Sequence, residues 1–166
     1  MVFDDDKGRG MNANVLEPQG ILSSDDIRLL GEIGLMAAGA GNGKAAEAIF
    51  QGLMVLRPNR ALPYIGLSMA KQCLGATDEA LRILSEDGLR ANPDSDEILV
   101  FLGMTLNNAR RDGEGKRVLQ DMLAKPAADS SERRMARKFL AETGRNSGIP
   151  PLARAGGENY ISSRRA

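Results

Sequence analysis

Apolar residues recur every three or four positions along most of the chain, and between Ala61 and Leu84 they do so in two successive blocks. Leu62, Ile65, Leu67, Met69, Ala70 and Cys73 form the first block, and Ala80, Leu81, Ile83 and Leu84 the second. That spacing marks one face of a 3.6-residue helix, and Gly75-Ala76-Thr77 between the blocks carries turn residues. The pattern predicts two short amphipathic helices joined tightly. Such a pair cannot bury its apolar faces alone and needs copies stacked on either side.

The chain supplies those copies in one register. In the middle unit Tyr64, Leu67, Ser68 and Lys71 precede Ala80, Leu84 and Pro93. Upstream, Leu30, Ile33, Gly34 and Ala37 precede Ala46, Phe50 and Pro58; downstream, Leu99, Leu102, Gly103 and Leu106 precede Gly115, Leu119 and Pro126. The prolines lie 35 and then 33 residues apart. Small residues at Gly34, Ser68, Gly103, Ala46, Ala80 and Gly115 let two helices approach closely, and the large apolar ones fill the space between them. Each proline ends a second helix and starts the next unit.

These positions resemble the tetratricopeptide (TPR) pattern, whose period is about 34 residues. The resemblance covers roughly residues 25–126 and implies an all-α, TPR-like array of three helix pairs. Two positions depart from it: Lys71 stands where an aromatic is usual, and Gly115 where alanine is usual.

Taken in order, residues 1–22 read as a flexible N-terminal segment of low apolar content. Asp4-Asp5-Asp6-Lys7 within it resembles a truncated tag-cleavage sequence, which leaves Met11 as an alternative start. Ser23-Ser24-Asp25-Asp26 offers an N-cap and first-turn acids to a helix running to about Ala38. Gly39-Ala40-Gly41-Asn42-Gly43 ends it, and Lys44 to about Leu56 is the second helix. After the middle pair, Asp94 or Ser95 caps a helix from Asp96 to about Arg110; Asp112-Gly113 turns into a helix from Gly115 to about Ala124. Asp129 and Glu132 have capping-box spacing at the start of a seventh helix ending near Glu142. Its stripe of Met135, Ala136, Phe139 and Leu140 suits an end cap with a polar outer face. The alternative, a nucleic-acid patch of Arg133, Arg134, Arg137 and Lys138, lacks aromatic interleaving. The domain thus spans 23–143, and residues 144–166 read as a flexible tail in which Leu152, Tyr160 and Ile161 form a candidate docking motif.

Charge and composition narrow the function classes. Twenty-two basic and 22 acidic residues leave no net charge, so nothing points to a nucleic-acid or membrane-surface partner. The single cysteine excludes an internal disulfide framework and favours a reducing, cytoplasmic setting. No apolar run approaches the ~20 residues of a membrane span, and no charged-then-apolar signal stands at the N-terminus.

Catalytic chemistry finds no footing. Gly39 to Lys44 fails as a phosphate loop, because Ala38 stands where glycine is needed and Ala45 where Ser or Thr is needed. Cys73 has no histidine in the chain to activate it and reads as a small packed hydrophobe. The acidic pairs Asp78-Glu79 and Glu86-Asp87 are helix-start and solvent-face residues. No catalytic constellation, metal site or cofactor is expected, and the protein is read as not an enzyme.

The repeat register points instead to a protein partner. In a TPR array the first helix of each pair lines the concave surface. The candidate partner-binding groove is Leu35, Leu62, Ile65, Met69, Gln72, Val100, Met104 and Asn107, and the register points Arg28, Gly31, Ala38 and Glu97 into it as well. It lacks the Lys and Asn run that clamps a C-terminal carboxylate in some TPR co-chaperones. An apolar lining with adaptable thioethers suits an amphipathic helix. Burial of each large side chain contributes about 1.5–3 kcal/mol. The alternative is that these residues pack against the chain's own tail or a second copy.

The segment Ala45 to Leu84, AAEAIFQGLMVLRPNRALPYIGLSMAKQCLGATDEALRIL, is similar to the small TPR chaperones of bacterial type III secretion systems, with its Val55-Leu56-Arg57-Pro58 turn and the helix that follows. The resemblance covers about residues 25–142. It implies a cytoplasmic chaperone that holds an export-apparatus or needle-type subunit unpolymerised, as a homo- or heterodimer or alone, and delivers it for secretion. A generic TPR scaffold is the alternative.

Overall fold

The computed structural model describes residues 22–143, and within them every regular element is helical. Apart from Leu22, the N-terminal segment and the tail with Leu152, Tyr160 and Ile161 lie outside the described residues.

The elements are α1 (Ser24–Gly39), α2 (Gly43–Leu56), α3 (Ala61–Cys73), α4, α5 (Asp96–Asn108), α6 (Asp112–Ala124) and α7 (Ser131–Thr143). Here α4 is a continuous helix that begins as α over Thr77–Arg82, widens to π over Ile83–Gly88 and closes as α over Leu89–Ala91. Helices pack in sequential pairs, α1 with α2, α3 with α4 and α5 with α6. The first helices also lie side by side, α1 on α3 and α3 on α5, and α7 covers both α5 and α6.

Local chemistry sets the ends. Ser23 and Asp26 form a reciprocal capping box: the Asp26 N–H donates to Ser23 Oγ at 3.1 Å and the Ser23 N–H to Asp26 Oδ2 at 2.9 Å. Asn42 caps α2 and Ser95 caps α5 more simply, each side-chain oxygen accepting one backbone N–H, from Ala45 and Ile98. Two expected boundaries shift. The third inter-helix turn falls on Ala109 to Arg111, with Arg110 at φ 63°, so Asp112 and Gly113 belong to the first turn of α6. In α7 the capping side chain is Ser130, whose Oγ accepts from the Arg133 N–H at 3.2 Å. Asp129 instead pairs with Arg134 and Arg137. An ion pair to two arginines displaces the cap expected from spacing.

Three apolar clusters run through the array. Phe50 and Leu53 of α2 pack with Tyr64, Leu67 and Ala70 of α3; Leu81 and Leu84 of α4 pack with Ile65 of α3 and with Ile98 and Leu102 of α5; Leu119 and Met122 of α6 pack with Val100 of α5 and with Ala136 and Phe139 of α7. The first two clusters join one pair to the next and the third joins the last pair to α7, the geometry of a capped repeat array. Small residues make the close crossings. A Cβ on Gly34 would lie 2.8 Å from the Phe50 ring, and one on Gly103 2.6 Å from Leu119.

The π stretch accounts for the longer second repeat. From Ala46 to Pro58 is twelve residues, but from Ala80 to Pro93 is thirteen. A π turn absorbs one extra residue inside an α-helix, and the widened turn lies between those two landmarks. Ile83, Leu84 and Gly88 remain buried despite the insertion.

Candidate functional site

The candidate site is the surface made by α1, α3 and α5 lying side by side. Polar ties fix their spacing. The Cys73 thiol at the end of α3 donates to the Ala38 carbonyl of α1 at 3.1 Å. Gln72 of α3 donates to Thr105 Oγ1 of α5 at 3.2 Å, and its carbonyl accepts from Asn108 at 3.4 Å. Near the other end, Leu62 fills the space beside Gly31, 2.9 Å from where a Cβ there would sit. Thr105, Asn108 and the Cys73–Ala38 bond are absent from the sequence expectation. A hydrogen bond between helices some 35 residues apart leaves no local signal.

The eight groove residues divide. Leu62 is exposed, and Leu35, Met69, Gln72, Met104 and Asn107 are half-buried. Met69 touches both the first and second clusters, Leu35 the first and Met104 the third, so each thioether or branched tip rests on the core. Ile65 and Val100 are not groove residues: they are 5% and 1% exposed and belong to the second and third clusters. Both sit on the flank that the following helices cover, Ile65 by α4 and Val100 by α7. A 3.6 period places a residue on a broad apolar face without saying which neighbour covers it. Of the flanking positions, Gly31 and Ala38 are buried, and Arg28 and Glu97 are exposed.

The eight candidate residues carry no charge; Arg28 and Glu97 stand exposed on either side of Leu62 in the repeat register. The polar members of the lining are the amides of Gln72, Asn107 and Asn108 and the Thr105 hydroxyl. Lys71, at the position where an aromatic was expected, reaches Glu47 of α2 at 2.7 Å and Glu79 of α4 at 3.0 Å. These hydrogen bonds, that to Glu47 foremost, raise the lysine pKa above its ordinary 10.5. An ion triad thus replaces a ring in joining three helices. Partial burial pushes the Cys73 thiol pKa up. Among the described residues no three His, Cys, Asp or Glu side chains converge as a metal site requires, and no helix is long and apolar enough to cross a membrane.

The basic residues of α7 do not act together. Arg133 is 4% exposed and turned inward. It donates to Asp96 of α5 and to the carbonyls of Leu123 and Lys125 that end α6. Arg134 and Arg137 both pair with the single carboxylate of Asp129. This is an end cap held by a buried guanidinium.

No family model and no curated protein matches the chain. Solved structures do. The translocator chaperone SycD of Yersinia enterocolitica type III secretion aligns over 72% of this chain and 91% of its own, at 20% identity and a TM-score of 0.58. PcrH, solved in complex with the chaperone-binding region of PopB, aligns over 72% and 96% at 23% identity and a TM-score of 0.58. An alternative dimer of SycD gives 72%, 89%, 20% and 0.57. The fold is that of these structures, a TPR-like helical array, as the register implies.

Proposed function

We propose that this protein is a non-enzymatic chaperone of a type III secretion system that holds an apolar segment of a secreted subunit against α1, α3 and α5. The observation that carries the proposal is the apolar surface of Leu35, Leu62, Met69 and Met104 edged by amides, on a fold shared with PcrH, a chaperone solved with a bound region of PopB. That likeness favours a translocator as cargo over a needle-type subunit. Apolar tips supply affinity, and amides aligned on neighbouring helices supply hydrogen bonds to the cargo backbone. Covering a segment that would otherwise self-associate needs no chemistry, and the chain's lack of histidine fits that role. The proposed setting is the bacterial cytoplasm, where such cargo awaits export.

The test is a pull-down from the native cytoplasm with mass-spectrometric identification, comparing the wild type with Leu62→Glu/Met69→Glu. A secreted translocator recovered by the wild type and at least tenfold depleted with the variant supports the groove, given an unchanged helical circular dichroism spectrum. Undiminished recovery removes the groove as the site. A large assembly without any secreted subunit favours the scaffold reading.

A further inference from the structure

The two seams of the groove are built differently. In the repeat register Ala38 corresponds to Gln72, and Cys73 to Asn108. The bond from Cys73 to Ala38 and the bond from Asn108 to Gln72 are therefore one contact made twice. In the first seam a short thiol side chain reaches the main-chain carbonyl of α1 directly, at 3.1 Å. In the second, two amide side chains meet end to end at 3.4 Å. The other end of each seam agrees. Leu62 of α3 sits against Gly31 of α1, 2.9 Å from where a Cβ there would lie, whereas their counterparts between α3 and α5 are the larger Ile65 and Glu97. Helix α3 thus lies close on α1 and farther from α5.

One amide spans the wider seam. Gln72 Nε2 donates to Thr105 Oγ1 at 3.2 Å while its Oε1 accepts from Asn108. Thr105 and Asn108 lie one turn apart on one face of α5, so a single helix holds both ends of the Gln72 amide. Thr105 is 2% exposed, and Gln72 satisfies its hydroxyl. A buried hydroxyl left without a partner is costly, which favours the closed bridge. The first seam has no equivalent: Ala38 and Ala70 stand where the second has Gln72 and Thr105. Met69 and Met104 are register equivalents on either side of the bridged seam, Met69 one turn from Gln72 and Met104 one turn from Asn108. We propose, on the groove reading above, that Gln72 and Thr105 are positioning residues: their bond sets the width of the α3–α5 seam and with it the separation of Met69 and Met104, the side chains that grip the cargo. Thr105 is too deeply buried to touch a cargo, so its influence on binding passes through Gln72.

The test measures the seam in the full chain. Spin labels at the exposed positions Leu74→Cys and Arg110→Cys, in a Cys73→Ser background that keeps a donor for Ala38, report the α3–α5 distance by double electron–electron resonance. Thr105→Val keeps the shape of the side chain and removes the hydroxyl. A shift of about 1–2 Å in the mean distance, the scale of a helix moving on its neighbour, or a comparable broadening, is expected with Thr105→Val and with Gln72→Leu. Thr105→Ser should keep the wild-type distance. The double variant should shift no further than either single one, because both remove the same bond. Unchanged distances in both single variants overturn the bridge as the determinant of width. The second arm repeats the native-cytoplasm pull-down and follows the translocator that the wild type recovers. Recovery at least tenfold lower with Thr105→Val and restored with Thr105→Ser is expected; undiminished recovery with Thr105→Val overturns the positioning role. A wild type that recovers no translocator counts against the groove reading instead, and the distances still decide whether the bridge sets the seam.

Discussion

The ring of Phe50 on α2 fills the volume that a Cβ on Gly66 of α3 would occupy. Phe50 is fully buried, with Gly34 of α1 on its other side. One side chain therefore joins the first repeat to the second, and it does so because two facing positions carry no side chain.

Gly66→Ala is expected to destabilise the protein by about 1–3 kcal/mol through overpacking, against the helix-propensity gain of alanine. In a double variant with Phe50→Leu the cost of the alanine should shrink, because the two residues share one contact. Chemical denaturation of the four proteins measures the coupling. Strict additivity would mean that the ring moves aside freely.

Removing one residue from the π stretch should be well tolerated. Deleting exposed Ser85 shortens the interval from Ala80 to Pro93 to the twelve residues of the first repeat, and α4 can then continue as α-helix throughout. The melting temperature is expected to stay within a few degrees of wild type or to rise. Deleting exposed Gln51 from regular α2 instead rotates Leu53, 1% exposed, by about 100° away from the core, at a cost of about 2–5 kcal/mol. Similar losses for both deletions would show that the widened turn is not an insertion.

Arg133 holds the end cap. Arg133→Ala leaves the Leu123 and Lys125 carbonyls without their donor and Asp96 without its cation. A loss of about 2–4 kcal/mol is expected, with amide exchange rising first in α6 and α7. Arg133→Lys should recover little, since one ammonium cannot serve three acceptors in the guanidinium plane. Full recovery by lysine would reduce the interaction to simple charge pairing.

Stability should fall at alkaline pH. Lys71 has its pKa raised by Glu47 and then Glu79, and Cys73 and Tyr64 have theirs raised chiefly by burial. Each folded value lies above the unfolded one, so each contribution is complete below the unfolded pKa and is lost as pH rises through the folded pKa. The decline should begin with the thiol above about pH 8.5 and deepen above about pH 10 as the phenol and ammonium titrate. Lys71→Met should lower the melting temperature at pH 9 and flatten its further fall toward pH 11. A curve parallel to wild type would remove the ion triad from the account.

The sequence by itself determined the repeat. Its small residues at Gly34, Ser68 and Gly103, large ones at Phe50, Leu84 and Leu119, and prolines at one register define which helices pair, because close packing admits only certain volumes at those crossings. The N-cap regions at Ser23 to Asp26 and at Asp94 or Ser95 were equally legible, since a cap bonds to a backbone three residues away; the structure assigns the caps to Ser23 and Ser95. Tertiary structure alone decided what each apolar stripe meets. Ile65 and Val100 share their helices' apolar character with Met69 and Met104, yet α4 and α7 cover them and withdraw them from the groove. Ile33 occupies the register position of Leu67 and Leu102 but is exposed, because no described helix packs on that face of α1. Periodicity records that a face is apolar; whether that face becomes core, groove or docking surface depends on a neighbour distant in sequence, and so on the residue's place in the stack.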